Sequence, residues 1–208
     1  MPPVAYRLVV ALLWSLVVYD SIECRGLFWD GASFLVNVID SRDFHDFYPA
    51  RAHVGWVTQL PVLIALQLGV TDTHALAVLY SAALFALPAG LYHLALARVR
   101  HDPVSAAVVL VAIALVYLPT SFFIIGEYSA AYGAVTAAMA ILLTGDRRRL
   151  RDALVVLVLA VLCLRSYEAM VYLGPLLAAA IMWWSATMPR DATAARLVAW
   201  LPWPSCST

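Results

Sequence analysis

Val54-Gly55-Trp56-Val57-Thr58-Gln59-Leu60-Pro61-Val62-Leu63-Ile64-Ala65-Leu66-Gln67-Leu68-Gly69-Val70 is the stretch on which the topology of this chain turns. It is strongly apolar, yet it carries Thr58, Gln59, Pro61 and Gln67. At about 1.5 Å per residue a helix here reaches only ~25 Å, against a hydrocarbon core about 30 Å thick. Around it, residues 4–22, 74–99, 103–118, 129–144, 153–164 (extendable to Tyr167) and 169–188 each hold a run that qualifies as a span or comes close. If 54–70 does not cross and the N-terminus is inside, Arg98, Arg100, the group Arg147, Arg148, Arg149 and Arg151, and Arg190 all lie in the cytoplasm. If it crosses and the N-terminus is outside, the same residues still lie there, so this rule orients the later helices and not the first two. Residues 20–53 set Asp20, Glu23, Asp30, Asp40, Asp43 and Asp46 against Arg25, Arg42 and Arg51, and Arg7 precedes the first run. These charges favour a cytoplasmic N-terminus, about six spans, and an external first loop over 20–73.

Composition points the same way. Of 208 residues, 64% are hydrophobic and 12% charged, with a mean hydropathy of +0.86, whereas soluble proteins carry roughly 25% charged residues. The expected fold is all-α, a single membrane domain over 1–208 embedded in a lipid bilayer. All 13 basic residues are Arg, which suggests a GC-rich genome, and no basic patch beyond the 147–151 group invites a nucleic acid. Cys24, Cys163 and Cys206 show no ligand spacing, and Cys163 reads as a packing residue. Leu8 to Tyr19 has the size of a signal-peptide core, but no small-x-small site follows it, so it reads as an uncleaved first span.

The external loop has internal design. Phe34, Leu35, Val38 and Ile39 recur at helical spacing opposite Ser33, Asn37, Asp40 and Ser41. A short amphipathic helix headed by Asp30 is predicted to lie in the membrane interface. Phe28, Trp29, Phe44, Phe47, Tyr48 and Trp56 surround it as an aromatic belt, and 54–70 forms a second such segment, flat or re-entrant. Asp30 either takes a proton from an acceptor hydroxyl, or helps hold a divalent cation, or simply caps the helix. Glu127, in the external turn 120–128, is either a functional acid or a solvated loop residue. Arg165 either pairs with Glu168 at i,i+3 or binds a phosphate with its planar fork. His45, His53, Asp43 and Asp46 are crowded but match no closed metal motif. His93 is expected to hydrogen-bond to a neighbouring helix.

This order of features resembles the GT-C superfamily of membrane glycosyltransferases, which includes protein O-mannosyltransferases and aminoarabinose transferases. Asp30-Gly31-Ala32-Ser33-Phe34 stands where the family has its acidic motif, with Gly31 in place of the usual second acid. Residues 59–69 look like its proline-led surface helix, and Leu118-Pro119 with Gly126-Glu127-Tyr128 resembles its second external loop. Arg165-Ser166-Tyr167-Glu168 is similar to a polar break between later helices. The resemblance implies a sugar moved with inversion from a polyprenyl-phosphate donor to a glycan, lipid or protein acceptor outside a bacterial inner (plasma) membrane. It makes Asp30 the base, Glu127 its assistant or a ligand of a divalent cation, and Arg165 a donor-phosphate ligand. The ending Trp200 to Thr208 reads as that of a fragment, so an N-terminal portion is expected. The competing reading is a non-enzymatic membrane protein, a transporter subunit or scaffold. Polar residues crowded into external loops favour interfacial chemistry over it.

Overall fold

The computed structural model describes residues 1–46, 51–120, 127–145 and 150–187. Among them every regular element is helical and there is no strand, as composition and periodicity imply. Eight helices follow in order: α1 (Pro3–Ile22), α2 (Gly31–Ser41), α3 (Ala52–Gln67), α4 (Thr73–Val99), α5 (Pro103–Ala112), α6 (Glu127–Thr144), α7 (Leu150–Leu164) and α8 (Met170–Ala186). A 3-10 turn (Arg25–Leu27) joins α1 to α2, and α5 runs on through a π-helical turn, Ile113–Tyr117, into Leu118–Thr120.

α4 is the central helix and packs on α1, α3, α5 and α6. The seam with α6 is made of small residues: Ala131, Ala134, Ala137 and Ala138 are fully buried against the cluster that holds Ala89, Tyr92 and Ala95. Alanine at this spacing lets two helix backbones approach closely, which suits helices associating where no hydrophobic effect drives them together.

Named contacts give the direction of each helix. At one end, here the lower, the amino terminus donates to the Arg100 carbonyl at 2.7 Å. Arg98, in the last turn of α4, grips the buried Asp152 of α7 through two guanidinium bonds. Asp102 caps α5 by accepting from the Val104 amide. α1 and α4 are therefore antiparallel, and His93 joins them in their lower half: Trp14 Nε1 donates to its Nδ1 at 3.2 Å, and its Nε2 meets the Tyr6 hydroxyl at 3.1 Å. The interhelical bond expected of His93 is present.

The stretch over 54–70 forms most of α3, and both of its ends have named neighbours. The His53 amide donates to the Arg165 carbonyl at 3.0 Å, just beyond the end of α7. The other end of α3 passes through Gly69, in the left-handed region at φ 84°, to Asp72, which caps α4 through the His74 amide. Between these two points α3 packs along α4. Its polar residues have local partners. Thr58 donates to the Val54 carbonyl, while Gln59 clamps the His45 backbone, accepting from its amide and donating to its carbonyl.

α2 departs from expectation in one respect. Its apolar side is the predicted one, with Leu35 and Val38 buried and Phe34 and Ile39 partly so. That side packs on Val62 and Leu63 of α3 and on Leu76 and Tyr80 of α4, so protein covers the face expected to lie against lipid.

α1 and α4 are long and apolar enough to cross a membrane; Pro103–Tyr117, Tyr128–Thr144 and Met170–Ala186 are shorter apolar helices. The outward faces are apolar along whole helices. Val104, Val108, Val111 and Leu115 form one exposed stripe on α5, the first 72% and the last 71% accessible. Val4, Leu8, Leu12 and Val18 repeat the pattern on α1, and Leu154, Val158 and Val161 on α7.

Candidate functional site

Asp30 stands exposed at the head of α2. It does not cap that helix, contrary to one reading of the sequence. Its backbone is already helical (φ −73°, ψ −17°) and its carboxylate accepts from none of the first amides. A capping side chain needs an extended backbone beneath it to swing over the N2 and N3 amides. Among the described residues the carboxylate has neither a hydrogen bond nor an ion pair.

The turn that places Asp30 is tightly built. Trp29 sits in the left-handed region at φ 56°, a conformation that costs a residue with a Cβ roughly 1–2 kcal/mol. The Gly26 amide donates to Ser81 Oγ at 3.0 Å, and a Cβ on Gly26 would lie 2.6 Å from the Ser81 Cα. A Cβ on Gly31 would fall 1.8 Å from the Gly26 carbonyl oxygen. Gly31 in place of a second acid thus has a physical reason: this approach admits no side chain.

A second cluster gathers where α3 begins and α7 ends. Because α7 stops at Leu164, Arg165 and Glu168 do not share a helix face, and the expected i,i+3 pair is absent. Glu168 pairs instead with Arg51, whose Nε lies 2.9 Å from its Oε1. The Arg51 guanidinium also stands over the Tyr167 ring at 5.4 Å. Tyr167 meets Tyr128 at 5.8 Å, and Tyr128 meets Tyr132 at 6.4 Å, so the three rings pack in a row. Desolvation opposes ionisation of Glu168, but a backbone hydrogen bond and Arg51 outweigh it and hold the carboxyl below its ordinary value. Arg165 itself is exposed. Glu127 begins α6 beside this cluster; its side chain, like residues 121–126, lies outside the described residues.

The crowded His and Asp residues of the loop disperse. The His45 ring faces Phe34 at 5.3 Å, Asp46 accepts from Trp56 Nε1 at 3.1 Å, and Asp43 accepts from the Phe44 amide. His53 Nδ1 bonds to the Val161 carbonyl at 2.7 Å, one of the carbonyls that the end of α7 leaves open. Among the described residues, no three His, Cys, Asp or Glu side chains converge as metal ligands. Phe47, Tyr48, Arg147, Arg148, Arg149, Arg190 and Cys206 lie outside the described residues.

The upper end therefore joins Arg51, Tyr167, Glu168 and the turn of Arg165 to the head of α6. Among the described residues no hydrogen bond or ion pair links Asp30 to that group. Sequence reasoning missed Arg51, which was counted only as a loop charge; its partner is 117 residues away. It also missed two buried acids, Asp20 and Asp152.

Comparison with family models, with curated proteins and with solved structures finds no match to this chain.

Proposed function

We propose that this chain is a membrane-embedded glycosyltransferase of the GT-C type, acting at the extracytoplasmic face of a bacterial inner membrane. In this reading α1, α4, α5 with its continuation, α6, α7 and α8 cross the bilayer. The lower end faces the cytoplasm, since it gathers the amino terminus, Arg98, Arg100 and Arg151. Whole-length apolar stripes on the outer faces of α1, α5 and α7 support it, because soluble monomers rarely expose contiguous apolar patches beyond a few hundred Å². α7, at 15 residues, reaches about 22 Å, and local bilayer thinning accommodates such a length at modest cost.

The observation that carries the chemical reading is the exposed carboxylate of Asp30, freed from capping by its own backbone, at the head of a short helix held at one end of the bundle. Acting as general base, Asp30 takes the proton of an acceptor hydroxyl. The acceptor oxygen bonds to the anomeric carbon as the bond from that carbon to the phosphate oxygen breaks. The polyprenyl phosphate leaves with the electron pair, and attack from the opposite face inverts the centre. Arg165, exposed at the same end, supplies a guanidinium to the departing phosphate, and Glu127 stands at the head of α6 as the assisting acid.

The test is release of polyprenyl phosphate from a radiolabelled polyprenyl-phosphate sugar in vesicles carrying the chain. Asp30→Asn should slow it at least 100-fold, the lower range of general-base contributions, with unchanged membrane insertion. Wild-type turnover in that variant removes Asp30 from the mechanism, and no turnover in the parent refutes the transferase reading.

A further inference from the structure

Cys24 and His74 stand 50 residues apart in the chain, and the fold sets them side by side where α1 ends and α4 begins. Cys24 precedes the 3-10 turn that follows α1, and His74 lies in the first turn of α4. The sulfur is 3.8 Å from His74 Nδ1, within hydrogen-bonding reach for sulfur. Its other polar contact among the described residues is the Ile22 carbonyl, also at 3.8 Å. A carbonyl accepts a hydrogen bond from the thiol but cannot take its proton; an imidazole can do both. Asp72 fixes the base, because its carboxylate accepts from the His74 amide and caps α4.

Both groups can be reached from outside: His74 is exposed and Cys24 half-buried. Cys163 is also a free thiol, but it is 2% accessible and sits in the main core cluster, whereas Cys24 borders the separate cluster of α2, α3 and α4. Among the described residues Cys24 is therefore the accessible thiol. No third His, Cys, Asp or Glu there joins the pair, so it lacks the donors of a closed zinc site. A thiol beside a base is instead the arrangement of an activated nucleophile, since the thiolate and not the thiol attacks.

We propose that Cys24, with His74 as its base, is a nucleophilic thiol that exchanges with small disulfides and holds the product as a mixed disulfide. His74 Nδ1 takes the thiol proton, and the sulfur attacks one sulfur of the disulfide. The S–S bond breaks, and the departing sulfur leaves with the electron pair and receives the proton from the imidazolium. The disulfide is itself the oxidant, so the step needs no other co-reactant. A sulfur half-buried against α2 and α4 admits a small reagent more readily than a folded protein. The adduct forms in the turn that leads to Asp30. The proposal needs neither the membrane assignment nor sugar transfer.

Its test uses the full chain in detergent micelles, with Cys163→Ala and Cys206→Ser so that Cys24 is the remaining thiol, and dipyridyl disulfide as the probe. Release of pyridinethione should reach a single equivalent, with the adduct on the peptide that holds Cys24. His74→Ala should slow the release about tenfold or more, as loss of a general base does. His74→Gln should be as slow, because its carbonyl can accept the thiol hydrogen bond but cannot carry the proton away. Circular dichroism of parent-like intensity in both variants separates loss of the base from loss of the fold. A glutamine variant as fast as the parent overturns the proposal, as does a parent whose Cys24 peptide carries no adduct.

Discussion

Arg98→Met should destabilise the bundle far more than any surface ion pair would imply. Asp152 is 3% accessible at its side chain and Arg98 27%, and two guanidinium nitrogens hold the carboxylate between α4 and α7. Methionine keeps most of the apolar stem but takes the Arg98 guanidinium away from the buried carboxylate. Breaking a buried pair from one side costs about 3–5 kcal/mol. Water reaches Arg98, which puts the expectation at the lower end, about 3 kcal/mol, or more than a hundredfold in the unfolding constant. Arg98→Met/Asp152→Leu should recover to within about 1 kcal/mol of the parent, because both desolvation costs disappear together. Unfolding of parent, both single variants and the double variant in mixed lipid–detergent micelles, titrated with a denaturing detergent, closes the cycle. A single variant within about 1 kcal/mol of the parent, and no worse than the double, would show that the pair behaves as a solvated surface contact and would refute the reasoning.

Gly31→Ala should displace the turn before α2, since its Cβ would meet the Gly26 carbonyl oxygen at 1.8 Å; increased proteolysis between Gly26 and Asp30 checks this, and a parent-like digest contradicts it. The Arg51–Glu168 latch should weaken in acid. Glu168 titrates below 4.5 when folded, so its contribution is complete above the unfolded value of 4.5 and is lost as pH falls through the depressed one. Half-exposed, the pair is worth less than about 1 kcal/mol and is screened by salt; fluorescence of a probe at the head of α3 should show an acid transition that Arg51→Ala removes. In a background without native cysteines, Ser41→Cys and Thr71→Cys should both react with an impermeant maleimide from the extracytoplasmic side. Reaction of the residue-41 variant only from the cytoplasm would sink the six-span arrangement.

The order of helices was legible because each apolar run is bounded by residues that end helices: Asp102-Pro103 opens α5 as its cap and first turn, and Gly145 follows α6. The apolar side of α2 was legible from four residues at helical spacing. What covers that side was not, since an amphipathic period gives the same signal whether lipid or protein lies against it. The failed Arg165–Glu168 pair has a similar origin. Spacing of i,i+3 has meaning only inside a helix, and α7 ends one residue before Arg165.

The candidate site shows the same division between local and distant information. Asp30 was found by residue type and position, but that it does not cap α2 follows from its backbone conformation, which residue type does not reveal. Arg51 became visible only when α3 turned out to begin against the end of α7. That contact also shows what the length of 54–70 could not: α3, at 16 residues, is no shorter than α7 at 15, so length does not separate the two. What places α3 is its packing along α4 and the bond from the His53 amide to the Arg165 carbonyl, a partner so far along the chain that no local pattern announces it.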